Sequence, residues 1–192
     1  MESTKLKQKT EVNNGPWFIA VERFGRKNGE AWSKYIEDTG LSQIEELVSL
    51  DTMLCPPVFS EIRDDYWPHI VNEDYYGHFF TDLKFLRDQL AEADSKEARL
   101  LCVFRNPHEL PKLSPELRSF RFLGFDLVEA ASGVSALSNC GGWPELKNEE
   151  LSKWGLITDL NRVLELQKEL PRAHPEEPHA NCNVWAIFAE TN

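Results

Sequence analysis

Apolar residues alternate with polar ones, or recur every three to four positions, and these two periods predict strands and helices respectively. Four apolar runs rich in aromatic and β-branched residues predict β-strands over 17–24, 99–104, 120–129 and 183–189. Gly124 interrupts the third run and predicts a β-bulge. The last run is apolar at successive positions, which is typical of a strand buried on both faces. We therefore expect it to be a central strand of the sheet.

Two helical segments are predicted in the first quarter of the chain. Trp32, Tyr35 and Ile36 are spaced to share one helix face, and Gly40 is placed to end that helix. A capping-box pattern then predicts a short second helix over 42–48. This second helix has one apolar face, formed by Ile44, Leu47 and Val48.

Two further helices are predicted between the later strands. Thr81 is expected to cap a helix that reaches to about residue 93. The clearest helical pattern spans 158–170 and is followed by Pro171. The apolar stripe of that helix consists of Leu160, Val163, Leu164 and Leu170.

About four strands and four to five helices alternate irregularly, which predicts an α+β fold. We expect a single mixed or mainly antiparallel sheet of about four strands, covered by the helices. A doubly wound fold is the alternative, but strict strand–helix alternation is missing. The chain of 192 residues is long enough for one full-sized core. We expect residues 1–14 to be a disordered polar tail and residues 15–192 to form a single globular domain.

Charge and composition narrow the classes of partner. The chain has 32 acidic and 21 basic residues and a net charge of −11, which disfavours nucleic acid and favours a basic protein partner. No run approaches the roughly 18 apolar residues of a membrane span, and residues 1–14 lack the apolar middle of a signal peptide. We therefore expect a cytoplasmic protein with free thiols and no membrane partner.

A cysteine nucleophile is one chemistry that the sequence offers. Cys140 precedes Gly141 and Gly142, whose missing side chains leave a thiol approachable and whose backbone N–H groups can stabilise an oxyanion. Such a thiol needs a nearby base, and His174 or His179 can supply it. A tight glycine turn with the thiol packed beneath it is the structural alternative.

This arrangement resembles the papain-like cysteine peptidases in chain order. Cys140 is followed by the candidate histidines and then by Asn181 or Asn183, which can orient an imidazole ring. An aromatic residue, Trp143, also comes just after the thiol. The resemblance ends at Pro144, where those enzymes continue a long helix.

Zinc is the second chemistry, because cysteine and histidine are its preferred ligands. Neither a Cys-x-x-Cys nor a His-x-x-x-His pair occurs. We therefore expect no cofactor, and a structural zinc is the alternative. Its ligands would be Cys140, His174, His179 and Cys182.

The segment 64–76 interleaves acidic and aromatic residues. Aromatic side chains with a polar tip are common anchors at protein interfaces, and acidic neighbours select a basic partner. A loop whose aromatics simply pack inside is the structural alternative. The predicted binding residues are Asp64, Asp65, Tyr66, Trp67, Glu73, Asp74, Tyr75 and Tyr76.

Two functional hypotheses follow. The first is a non-enzymatic, acidic, cytosolic protein-binding module that engages a basic protein, as an immunity or inhibitor protein engages a cationic toxin or nuclease. The second is a cysteine-dependent hydrolase or transferase. In that case Cys140 is the nucleophile and His174 or His179 is the base. Oligomeric state is left open by the sequence.

Overall fold

A computed structural model of the protein describes residues 15–61, 63–71, 79–93, 95, 97–129, 132–139 and 142–191. The predicted tail, residues 1–14, lies outside this part of the chain. The strands are β1 (Trp17–Val21), β2 (Phe24–Gly25), β3 (Glu46–Leu47), β4 (Arg99–Arg105), β5 (Phe120–Glu129) and β6 (Cys182–Glu190). The α-helices are α1 (Gly29–Thr39), α2 (Leu83–Glu92) and α3 (Leu160–Ala173). Short 3-10 turns span Arg26–Asn28, Asp64–His69, Pro115–Leu117, Asn148–Glu150 and Pro178–Ala180.

The main sheet has four strands in the order β1-β4-β6-β5, and every neighbouring pair is antiparallel. The predicted α+β class is therefore confirmed. Strand β6 is an interior strand, as its continuous apolar run predicts. Its register with β5 shifts between Phe122 and Gly124, at the predicted bulge. A Cβ at Gly124 would lie 2.6 Å from Cβ of Leu156, so only glycine allows this close approach.

The first predicted strand, over 17–24, is divided in two. Residues 17–21 form the edge strand β1, whereas β2 pairs with β3 in a separate two-stranded ribbon. The helix predicted over 42–48 is wrong, because this segment contains β3 instead. Glu46 and Leu47 pair with Gly25 and Phe24, which holds this backbone extended, and both Leu47 and Val48 are buried.

The helix ends follow ordinary capping chemistry. Gly40 ends α1 in the left-handed conformation, as the sequence predicts. Helix α2 is capped by Asp82, whose carboxylate accepts a hydrogen bond of 2.9 Å from the backbone N–H of Phe85; Thr81 comes one residue earlier. Asp159 caps α3 in the same way.

Helices α2 and α3 cover different strands of the main sheet. Helix α2 contacts β1, whereas α3 contacts β5 and β6. Their apolar residues join one core that includes the aromatic rings of Trp17, Phe79 and Trp185, whose centroids are 5.1–5.8 Å apart. None of the helices in the described ranges has both the length and the apolar composition that a bilayer crossing requires.

The buried stripe of α3 differs from the predicted one. Val163, Leu166 and Leu170 are buried, whereas Leu160 and Leu164 are only half-buried. Pro171 lies within the last turn of the helix. The buried stripe therefore passes through Leu166, which the sequence pattern omits, and leaves Leu160 and Leu164 at its margin.

We expect Leu166→Ala to lower the free energy of unfolding by about 2–5 kcal/mol, because it leaves a cavity at a fully buried position. Leu164→Ala is the matched control, since it makes the same change in helix propensity at a half-buried position. Urea denaturation followed by far-UV circular dichroism measures both. Equal losses would mean that Leu164 contributes as much to the core as Leu166.

Candidate functional site

Two buried carboxylates lie at the centre of a polar network against β5. Asp126 is fully buried. Its Oδ2 accepts hydrogen bonds from the Ser49 hydroxyl at 2.6 Å and from the backbone N–H of Leu50 at 3.3 Å. Its Oδ1 accepts one from the Ser135 hydroxyl at 2.7 Å. One side chain thus joins two loops to the strand.

Asp51 completes the network. Its Oδ1 accepts from the backbone N–H groups of Met53 at 2.9 Å and Leu54 at 3.2 Å, which closes a turn. Its Oδ2 accepts from the Ser135 backbone N–H and from the Asn139 amide, both at 2.8 Å. The loop at 49–55 is therefore fastened to the turn at 135–139.

The environment of Asp126 raises the pKa of its carboxyl group. Burial raises the pKa of Asp126 to about 6, although the hydrogen bonds from Ser49, Ser135 and Leu50 act in the opposite direction. The nearby charge of Asp51 adds to the increase. Since both carboxylates are buried and their oxygens accept from the chain itself, we interpret this network as a structural clamp.

The candidate nucleophile, Cys140, lies outside the described residues, as does Gly141. The residues on either side are described. Asn139 is held by Asp51, and its backbone N–H donates to the Ser135 carbonyl at 3.1 Å. The turn that leads into Cys140 is therefore anchored to the buried network.

One of the two candidate bases lies beside the residues that follow Cys140. The His174 ring is 4.7 Å from the ring of Trp143, and its Nε2 is 3.0 Å from a carboxylate oxygen of Glu145. The hydrogen bond from His174 holds the pKa of the Glu145 carboxyl below its usual range. The fold thus brings His174 to the segment after the candidate nucleophile.

His179 has different neighbours. It lies in the turn Pro178–Ala180, and its Nδ1 is buried without a hydrogen-bond partner in the described part of the chain. The Cys182 thiol contacts the carbonyl oxygen of His179 at 3.1 Å. Asn183, one of the two candidate orienting residues, accepts from the Asn106 amide at 2.8 Å. Its side-chain oxygen therefore accepts from Asn106, and neither imidazole donates to it within the described residues.

The zinc hypothesis depends on Cys140, which is not among the described residues. Within the described ranges, no three His, Cys, Asp or Glu side chains lie close enough together to hold a metal ion. The alternative set of Cys140, His174, His179 and Cys182 therefore stays a prediction.

Cys55 and Cys102 are free thiols in buried positions. Burial raises the pKa of both Cys55 and Cys102 to about 12, so neither carries an appreciable thiolate population at neutral pH. We assign both to the core.

The aromatic-acidic segment is only partly a surface. Tyr66 is 2% exposed, and its hydroxyl donates to the Gln89 side chain at 3.0 Å. Its ring contacts the rings of Phe59, Phe80 and Phe85. Tyr66 is therefore a core residue, and its inclusion among the surface contacts is corrected. An apolar ring of this size gains more from burial in the core than from a place at the surface.

Its neighbour Trp67 points outward and is 53% exposed. Asp64 forms no ion pair with the described residues, whereas Asp65 pairs with Arg63 at 2.8 Å. The remaining predicted contacts lie outside the described residues: Glu73, Asp74, Tyr75 and Tyr76.

Comparison of the chain with protein-family models, curated proteins and solved structures finds no significant match. The site is therefore interpreted from its own chemistry.

Ser49, Asp51 and Asp126 were not singled out from the sequence. The signal available was an acidic residue, Asp126, inside the apolar run of the third predicted strand. A buried carboxylate needs several donors, and its partners here come from positions far apart in the chain. No local pattern connects them.

We expect Asp126 to make stability fall as the pH rises from about 4 to about 6. A carboxyl whose pKa is raised by folding stabilises the protein below its unfolded pKa, and this contribution is lost as the pH rises through the folded value. The shift corresponds to about 3 kcal/mol. Asp126→Asn removes this titration. The free energy of unfolding of the variant, relative to that of the wild type, should therefore rise between about pH 4 and about pH 6.

Urea denaturation at a series of pH values measures the difference. Asp38→Asn, at an exposed carboxylate, is the control for the loss of one acidic group. A flat difference between Asp126→Asn and wild type would show that Asp126 titrates alike in the folded and unfolded states.

Proposed function

We propose that this protein is a non-enzymatic binding module that engages a basic protein through the surface around Trp67. The observation that carries the proposal is an exposed tryptophan, preceded by Asp64 and Asp65, on a turn anchored in the core. Tryptophan is the residue most often found to dominate binding energy at interfaces. Here it is 53% exposed, directly after the buried Tyr66.

The anchoring matters because it pre-organises the surface. Tyr66 is fixed by its hydrogen bond to Gln89 and by three aromatic contacts, so the turn Asp64–His69 has little freedom. His69 adds to this by stacking on Phe85, with ring centroids 3.9 Å apart. A rigid turn loses less conformational entropy on binding than a mobile loop.

Charge supports a basic partner. The segment 61–76 has five acidic residues and one arginine, in a chain of net charge −11. Because Arg63 is paired with Asp65, Asp64 is the acid with the freer carboxylate. Such a field accelerates encounter with a cationic surface and makes the association rate depend on salt. An immunity or inhibitor role against a cationic toxin or nuclease fits these properties.

Replacement of Trp67 with alanine is expected to weaken binding to the partner by about 30-fold or more, mainly through faster dissociation.

Replacement of the acidic residues by their amides should instead slow association and make the association rate less dependent on salt. The residues changed are Asp64, Asp65, Glu73 and Asp74. Surface plasmon resonance with the partner, isolated by affinity capture and purified, measures both rates.

Two matched variants serve as controls. Leu110→Ala removes another exposed apolar side chain, and Asp38→Asn removes another exposed charge. If Trp67→Ala binds no more weakly than Leu110→Ala, the interface lies elsewhere on the molecule.

A cysteine-dependent hydrolase or transferase is the second candidate, and the pairing of His174 with Glu145 favours it. A carboxylate beside an imidazole holds the ring in one orientation. Trp143 and Glu145 follow Cys140 closely in the chain, and both contact His174. This arrangement supports a thiolate at Cys140 with His174, rather than His179, as its base.

If Cys140 is a nucleophile, it should be alkylated rapidly near pH 6, and His174→Ala should shift that reactivity to higher pH. Site-resolved mass spectrometry after iodoacetamide treatment follows each thiol, with and without a chelator. The buried Cys55 and Cys102 are internal references that should stay unlabelled in the folded protein. Labelling of Cys140 only with chelator would indicate zinc, and labelling only after unfolding would exclude the enzyme.

A further inference from the structure

A groove of about 510 Å³ lies at the end of the sheet where β1 and β6 finish and β4 and β5 begin. Four arginines line it, each from a different part of the fold. Arg23 follows β1, Arg87 lies on α2, Arg99 opens β4 and Arg121 lies in β5. The volume falls within the range of small-molecule sites. The four arginines form a local cluster of positive charge in a chain whose net charge is −11.

Glu46 holds two of these arginines in place. Its carboxylate accepts from Nε and Nη2 of Arg23 at 2.6 and 2.7 Å, and from Nη2 of Arg99 at 2.7 Å. One carboxylate therefore neutralises part of the charge of two guanidinium groups. The pairing also fixes their planes, which reduces the entropy lost when a ligand binds.

The other two arginines differ from each other. Arg87 pairs with Glu190, which also lines the groove. Arg121 is exposed and forms neither an ion pair nor a hydrogen bond with the described residues. Three of the four guanidinium groups are thus paired with two carboxylates, and Arg121 is the one that has no such partner among the described residues.

The walls of the groove are not uniformly polar. Trp154 lies half-buried beside Arg99, whose guanidinium is 5.1 Å from the indole ring. Arg99 itself is only 13% exposed, and its Nε is buried without a hydrogen-bond partner within the described ranges. Leu90 and Leu123 add apolar surface to the lining. Such a mixture fits an organic anion better than a bare inorganic ion.

We propose that this groove binds a small organic phosphate. Its phosphoryl group pairs with Arg121 and with free N–H groups of the neighbouring arginines, and its apolar or aromatic part lies against Trp154 and the leucines. A phosphate monoester has about two negative charges and three terminal oxygens, so it can engage more than one guanidinium group at once. A monocarboxylate has one charge and two oxygens, which leaves more of the positive excess unpaired. This site is independent of the proposed protein-binding surface.

Isothermal titration calorimetry of the full chain with phenyl phosphate tests the proposal at physiological salt. We expect measurable binding that is tighter than that of either inorganic phosphate or benzoate. Arg121→Gln should weaken it by about tenfold, because a charge-assisted hydrogen bond is lost. Arg118→Gln is the matched control: it removes a second exposed arginine, which forms no ion pair with the described residues and does not line the groove. Neither change removes a side-chain hydrogen bond or an ion pair within the described residues, so thermal stability should be unaffected.

Each contrary result overturns a defined part of the proposal. Absence of binding at millimolar phenyl phosphate would eliminate the site. Equal losses in Arg121→Gln and Arg118→Gln would show that net charge, and not the groove, attracts the anion. Benzoate binding as tightly as phenyl phosphate would overturn the choice of phosphate. Inorganic phosphate binding equally well would overturn the role of the apolar wall.

Discussion

The burial of Asp51 and Asp126 is the constraint on which much of this structure depends. A carboxylate removed from water is tolerated only when its oxygens accept hydrogen bonds from nearby donors. Here the donors belong to the loop at 49–55 and the turn at 135–139, so both segments must pack against β5. Loss of the Ser135 hydroxyl would leave Oδ1 of Asp126 without a donor among the described residues, which costs more than the hydrogen bond itself contributes.

This clamp also positions the residues that surround it. On one side it ends at Asn139, directly before the candidate nucleophile. On the other side the chain leads back to β3, where Glu46 pairs with Arg23 and Arg99. The backbone N–H of Val48 donates to the Trp154 carbonyl at 3.0 Å, which places that tryptophan beside the arginines. The polar interior and the basic groove are therefore connected through one short segment.

The two proposed binding surfaces have opposite charge, and α2 contributes to both. Gln89 on its buried face holds Tyr66 and so supports the exposed Trp67. Arg87 on the same helix lines the basic groove. An acidic surface and a basic groove can coexist because physiological salt weakens the interaction between exposed charges. The net charge of the whole chain therefore does not describe the local charge of either the surface around Trp67 or the arginine groove.

The sequence by itself determined the α+β class, the central position of β6, the bulge at Gly124 and the end of α1 at Gly40, because periodicity, glycine geometry and capping are local properties. Only the tertiary structure decided that the segment at 42–48 contains the short strand β3 instead of a helix, because its apolar residues are buried by distant partners. It also decided that Tyr66 is internal while Trp67 is exposed, although both are aromatic. The clamp and the arginine groove depend on residues far apart in the chain, and contacts of that kind arise only when the strands pair and the loops pack.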